Sequence, residues 1–198
     1  MRRATAFIRT IGHKGCAAIA LALLAATGGS IPSAHAQETA KDDTNTIVFT
    51  IDVAEDFTRF SPTFVRPEHT QPERGSFFVT EGAIFPGGTI QGDGATFDPN
   101  GSGAIGTWIC RGTHLVSATE FLTAPVGVFT SQLYLLPNQN KSLSTDGVEG
   151  IAPARRPVTG GTGMFRDYVG EMKQEMLGFN ATGGVNLRVT FVLKKAVR

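Results

Sequence analysis

Cysteine is nearly missing from the sequence: Cys16 and Cys110 are the only two among 198 residues. Charge of one sign is missing too, with 18 Lys and Arg against 17 Asp and Glu and a formal net charge of +1. No apolar run reaches the length of about 20 residues that a membrane-spanning helix needs; the longest, "AAIALALLAA" at 17–26, is ten residues. Histidine is sparse after the N-terminal region, where only His69 and His114 remain, without a His-x-His or Cys-x-x-Cys spacing to hold a metal. No Gly-x-Ser-x-Gly elbow and no phosphate loop ending in Gly-Lys-Ser/Thr is present. These absences argue against a disulfide scaffold, a stable membrane insertion, a metal centre, a serine hydrolase and a nucleotide-dependent enzyme, and no cofactor is expected.

The first 36 residues read as a secretory signal peptide. Arg2, Arg3, Arg9 and Lys14 give a basic start, the short apolar run follows, and Ala34-His35-Ala36 supplies a small-x-small cleavage site before Gln37. Export by the general or the twin-arginine route, to the periplasm or the medium, is the expected localisation. Losing those four cations shifts the net charge from +1 to −3. A mixed, weakly acidic surface gives no electrostatic reason to bind nucleic acid or anionic lipid. Cys16 leaves with the signal, so Cys110 remains as a buried small hydrophobe, a reactive thiol or an intermolecular bridge.

Residues 37–45 read as a flexible segment and 46–198 as one domain. Past residue 40 the apolar residues alternate or come in short bursts between Gly, Pro, Asn and Asp clusters, which is the all-β pattern. Strands are predicted at 46–53, 76–85, 104–116, 126–136, 164–177 and 185–195. The last is the cleanest, with Val185, Leu187, Val189, Phe191 and Leu193 on one face. Between them, 60–75 is the longest irregular segment, 86–103 reads as a flexible glycine-rich connection, and 180–184 makes a hairpin turn. "VTGGTGMFRDYVGEM" (158–172) reads as a tight turn at Gly160, Gly161 and Gly163 feeding a strand, with a bulge or bend at Gly170. Six to eight strands joined largely by short turns suggest a closed antiparallel barrel or a sandwich.

That same stretch, with its Gly-Gly-x-Gly-x-Phe turn, strand and further glycine, resembles the allene oxide cyclase family and its dirigent relatives. "TIVFTIDV" is similar to the family's first strand, "GTWICRG" stands where the cyclase has its cavity cysteine, and the Phe-x-Leu-Lys ending is similar as well. The resemblance implies a calycin-like closed β-barrel of about eight strands, trimeric assembly and Phe165 as a core plug. In the plant cyclases a glutamate on the first strand, an asparagine two residues on and a cysteine line an apolar cavity, guiding ring closure without a cofactor. Carried over by position, these fall on Thr50, Asp52 and Cys110, of which the cysteine alone matches, with Asp52 on the same strand face as a substitute acid.

Residue by residue, Trp108, Cys110, Gly112 and His114 share a strand face. Cys110 and His114 stand two i,i+2 steps apart, ~13 Å between Cα atoms, too far for a direct dyad. Glu81 lies on the face of Phe77, Val79, Ala83 and Phe85, where burial would make it an acid and a rim position would leave it wet. Gln132 and Tyr134 are candidate hydrogen-bonding groups for a cavity, while Tyr168, Met172 and Met176 read as core. The first strand holds a conflict: Ile47, Phe49, Ile51 and Val53 form its apolar face, and Thr50 and Asp52 the other, so both cannot face the interior. Either a subunit interface covers the apolar face, or Asp52 is solvated. The leading expectation is a secreted barrel binding a small apolar or lipid-like molecule. The alternatives are a cofactor-free cyclase or isomerase acting on an oxidised fatty acid, and a dirigent-like or purely structural barrel.

Overall fold

The computed structural model describes residues 45–196 except 122, 138, 139 and 151. The signal peptide, its cleavage site and nearly all of the 37–45 segment lie outside the described residues.

Nine strands are described: β1 (Thr46–Glu55), β2 (Ser61–Thr63), β3 (Phe77–Pro86), β4 (Gly106–His114), β5 (Val128–Leu136), β6 (Lys141–Glu149), β7 (Ala154–Gly161), β8 (Tyr168–Phe179) and β9 (Val185–Lys195). They hydrogen-bond in the order β1-β9-β8-β7-β6-β5-β4-β3-β2, and β1 also pairs with β3. That extra pairing closes an eight-stranded antiparallel barrel. β2 lies outside the circuit, extending along Phe77–Val79 of β3, just before the residues that pair with β1.

Closure decides the conflict on β1. Ile51 and Val53 face the lumen together with Leu187, Val189, Phe191 and Leu193 of β9, Ile84 of β3 and Met172 of β8. Phe49 stacks on Phe191, centroids 4.9 Å apart, and on Phe165 at 5.7 Å. Phe165, 2% exposed, sits in the β7–β8 turn and plugs one end of the barrel. Aromatic stacks of this kind add to burial, the main drive for closing the sheet.

β6 and β7 are absent from the strands predicted above, and their composition explains it. β6 turns Leu143, Thr145, Gly147 and Glu149 inward, and β7 turns Arg156, Val158 and, past a bulge, Gly161 inward. Polar residues and glycines on the inner face erase the alternation by which a half-buried strand is recognised. The glycines of 158–172 divide accordingly: Gly160 and Gly161 end β7, and the turn proper runs over 162–167. Gly163 is its pivot, with φ +58° and no room for a Cβ, which would stand 2.5 Å from the Asn140 carbonyl. At Gly170 the β8–β9 ladder passes without a break, and the bulge lies between Met176 and Gly178.

Residues 86–103 are not a loose connection. They fold back over the outer wall of β1, β3 and β9 as a strap, seating Ile90 (1% exposed) with Ala54 and Phe85 in a second small core. Phe97 meets Phe85 edge-on at 4.9 Å, and Asn186 Nδ2 donates to the carbonyls of Asp93 and Gly94, each at 3.1 Å.

Candidate functional site: the polar end of the lumen

Away from the Phe165 plug, the lining changes character. Glu55 ends β1, Thr80 comes from β3, Cys110 and His114 from β4, Thr130, Gln132 and Tyr134 from β5, Thr145 and Glu149 from β6, Arg156 from β7 and Gln174 from β8. Each is in phase with the apolar lumen residues of its own strand, so the pleat alone aims them inward.

Arg156 has a fully buried side chain. It crosses the space over Gly147, where a Cβ would stand 3.1 Å from Arg156 Cγ, and its Nη2 donates to the Thr130 carbonyl and hydroxyl, both at 2.6 Å. Its Nη1 lies 3.8 Å from Glu149 Oε1. The other Glu149 oxygen accepts from Gln174 and, at 3.4 Å, from Gln132. Gln132 also donates to Gln174 Oε1 at 2.9 Å and accepts the Tyr134 hydroxyl proton.

Glu55 accepts from Thr80 Oγ1 at 2.7 Å and from the Val185 amide at 2.9 Å. Burial nevertheless raises its pKa, with smaller contributions in the same direction from the charges of Glu149 and Asp56. Burial likewise pushes the Cys110 thiol well up, reinforced by Glu149 and Glu55, and raises the Tyr134 hydroxyl. The Trp108 indole lowers that rise only slightly, and its Nε1–H lacks hydrogen-bond geometry. Glu55, Cys110, Tyr134, Glu149 and Arg156 thus share one electrostatic neighbourhood. His114 stands beside Phe78, centroids 5.4 Å apart; burial lowers its pKa, and neither ring nitrogen has a hydrogen-bond partner among the described residues.

The sequence-predicted site residues separate by face. Trp108, Cys110, His114, Gln132 and Tyr134 all turn into the lumen. Thr50, Asp52 and Glu81 do not. Thr50 bonds Thr190 across the outer wall, oxygens 2.9 Å apart. Asp52 is neither in a lumen nor solvated: the strap covers it completely, and it accepts from Arg188 and from the Ile90 amide at 2.8 Å. Glu81 is half-exposed on the outside, paired with Arg59 Nη1 at 2.6 Å. The positions carried over for the cyclase glutamate and asparagine therefore point away from the interior.

The lumen acids instead are Glu55 and Glu149, neither singled out above. Glu55 was legible: it keeps period two with Ile51 and Val53. Gln174 keeps it with Met172 and Met176. Thr145, Glu149 and Arg156 carry no such signal, because their strands lack an apolar face to count from.

No protein-family model and no curated protein matches the chain. Solved structures do match. A pterocarpan synthase dirigent protein superposes with a TM-score of 0.58 at 11% identity, covering 80% of this chain and 100% of its own. A second pterocarpan synthase dirigent protein gives 0.53 at 13%, covering 76% and 90%. Pyocyanin demethylase gives 0.50 at 12%, covering 75% and 100%. At such identities the likeness is one of fold: this chain is built on the closed antiparallel barrel of the dirigent proteins.

Proposed function

We propose that the protein is exported and binds a small, largely apolar molecule inside its barrel, with the reactive or polar part of that molecule at the Glu55–Glu149–Arg156 end. The observation that carries this reading is the burial of the Glu55 carboxyl and the Arg156 guanidinium in one lumen, with the Glu149 carboxylate half-buried beside them. Charged groups cost several kcal/mol each to remove from water, and a barrel of eight strands needs none of them to close. Ionisable groups gathered beside an apolar wall, with Glu55 pushed up by burial, are the usual mark of a ligand site.

A second reading, a cofactor-free cyclase or isomerase of the allene oxide cyclase type, gains support from Glu55. A lumen carboxyl with a raised pKa holds its proton nearer neutrality and can deliver it to a developing oxyanion or leaving group. It also restores a glutamate to the first strand, on the inner face. Trimeric assembly, implied by the same resemblance, has a surface to use: Phe77, Val79, Phe129 and Val148 are exposed on the outer wall.

Native mass spectrometry of the protein purified gently from the periplasm or medium tests the first reading. A retained small molecule, one per chain, supports it and gives the chemical class. A uniformly empty chain that also fails to take up any molecule from a membrane or culture extract contradicts it.

A further inference from the structure

The hydrogen bonds of the polar end leave an excess of donors. The acceptors of Glu55, Gln132, Gln174 and Thr130 are engaged, as is Glu149 Oε2, while Glu149 Oε1 has only the 3.8 Å ion pair with Arg156 Nη1. Five buried nitrogens have no hydrogen-bond partner among the described residues: Trp108 Nε1, Arg156 Nε, Arg156 Nη1 and the two ring nitrogens of His114. The Trp108 and Arg156 nitrogens can only donate, and a neutral His114 offers one donor and one acceptor, so donors are in excess. Thr145 Oγ1, also unpartnered, can serve either way. A buried donor without an acceptor is costly, whereas an occupant that supplies an oxygen removes the cost.

Charge narrows the occupant further. Glu149 already stands beside Arg156, and Glu55 lies in the same neighbourhood. A carboxylate entering this end would be a further negative charge with no cation left to match it, in a place where desolvation is not repaid by a pair already made. The upward push on the Glu55 carboxyl reflects the same resistance to added negative charge.

Resting on the reading that the lumen holds a ligand, we infer that this end takes an uncharged hydrogen-bond acceptor, a carbonyl oxygen carried on an apolar body, in preference to a free carboxylate or a bare hydrocarbon. Trp108 and Arg156 are the residues that read it.

Three probes with one shape separate the cases: benzophenone, diphenylmethane and diphenylacetate. Trp108 is the only tryptophan, so protein expressed from the full chain with ¹⁵N-tryptophan gives one indole resonance. The expected result is that benzophenone binds about tenfold tighter than either other probe, the gain of one hydrogen bond, and moves the indole proton downfield. Trp108→Phe and Arg156→Met, each checked for a folded amide spectrum, should erase the preference for the ketone as measured by equilibrium dialysis. Where Arg156→Met does not fold, Trp108→Phe carries the comparison. Equal binding of diphenylmethane would overturn the inference and leave the lumen reading standing. Tightest binding of diphenylacetate would overturn the charge argument. An indole resonance unmoved by all three would remove the lumen reading and this inference with it.

Discussion

Asp52 and Arg188 grip each other at two points on the outside of the barrel, Nε to Oδ1 at 2.9 Å and Nη2 to Oδ2 at 3.1 Å. The same carboxylate accepts the Ile90 amide, and Arg188 Nη2 also donates to the Ile90 carbonyl at 2.9 Å. The pair is therefore the fastening of the strap, and its role is structural. Asp52→Ala should destabilise the protein by about 3 kcal/mol, the lower end for breaking a buried pair because Arg188 still reaches water. Urea denaturation measures this. The folded variant should keep the lumen's binding properties, because the pair lies on the outer wall.

Phe165 closes the far end of the lumen, and its ring is held by Phe49 and by Lys141 Nζ, 5.2 Å above it. Phe165→Ala should cost about 3–5 kcal/mol, as for other buried aromatic truncations. It should also open a second entrance, seen as faster exchange of any lumen probe.

Glu55 sets a pH dependence with a definite sign. Its pKa is raised on folding from 4.5, so the folded state binds more protons than the unfolded one through this window. Stability from this group is complete below 4.5 and declines as pH rises through the raised value. Glu55→Gln should flatten that decline. The difference between the two proteins in urea midpoint, followed from pH 4 to 7, isolates it. Glu120 is shifted down and acts with opposite sign at lower pH, but it cancels in the comparison.

Cys110 is buried with its thiol pKa well above the ordinary value. A thiolate-dependent reagent such as a disulfide dye should leave it untouched in the folded protein at pH 8 and label it fully in urea. Rapid labelling in the native state would show that the lumen admits the reagent and deprotonates the thiol.

How much of this was legible depended on where polarity falls. Strands β1 and β9 announce themselves because Ile51, Val53, Leu187 and Phe191 alternate with polar partners. β6 and β7 do not, because the interior they line is itself polar at Thr145, Glu149 and Arg156. The inward turn of Trp108, Cys110 and His114 followed from the pleat once the strand was found. The misplacement of Thr50 and Asp52 has a different origin. Correspondence by position with the cyclase put them inward, while the chain's own period-two pattern already put Ile51 and Val53 there. The strap was the hardest to foresee, since a glycine-rich segment reads as loose until Ile90 and Phe97 find the outer wall.

The account's central claim, that the barrel's interior is a binding site, is tested most directly by energy transfer from Trp108 to N-phenyl-1-naphthylamine, an uncharged apolar dye. Trp108 is 2% exposed and lines the lumen. The account predicts saturable quenching of its emission, with matching dye emission, at one dye per chain. Transfer that never saturates, or none while the protein remains folded, would contradict it and identify the interior as a filled core.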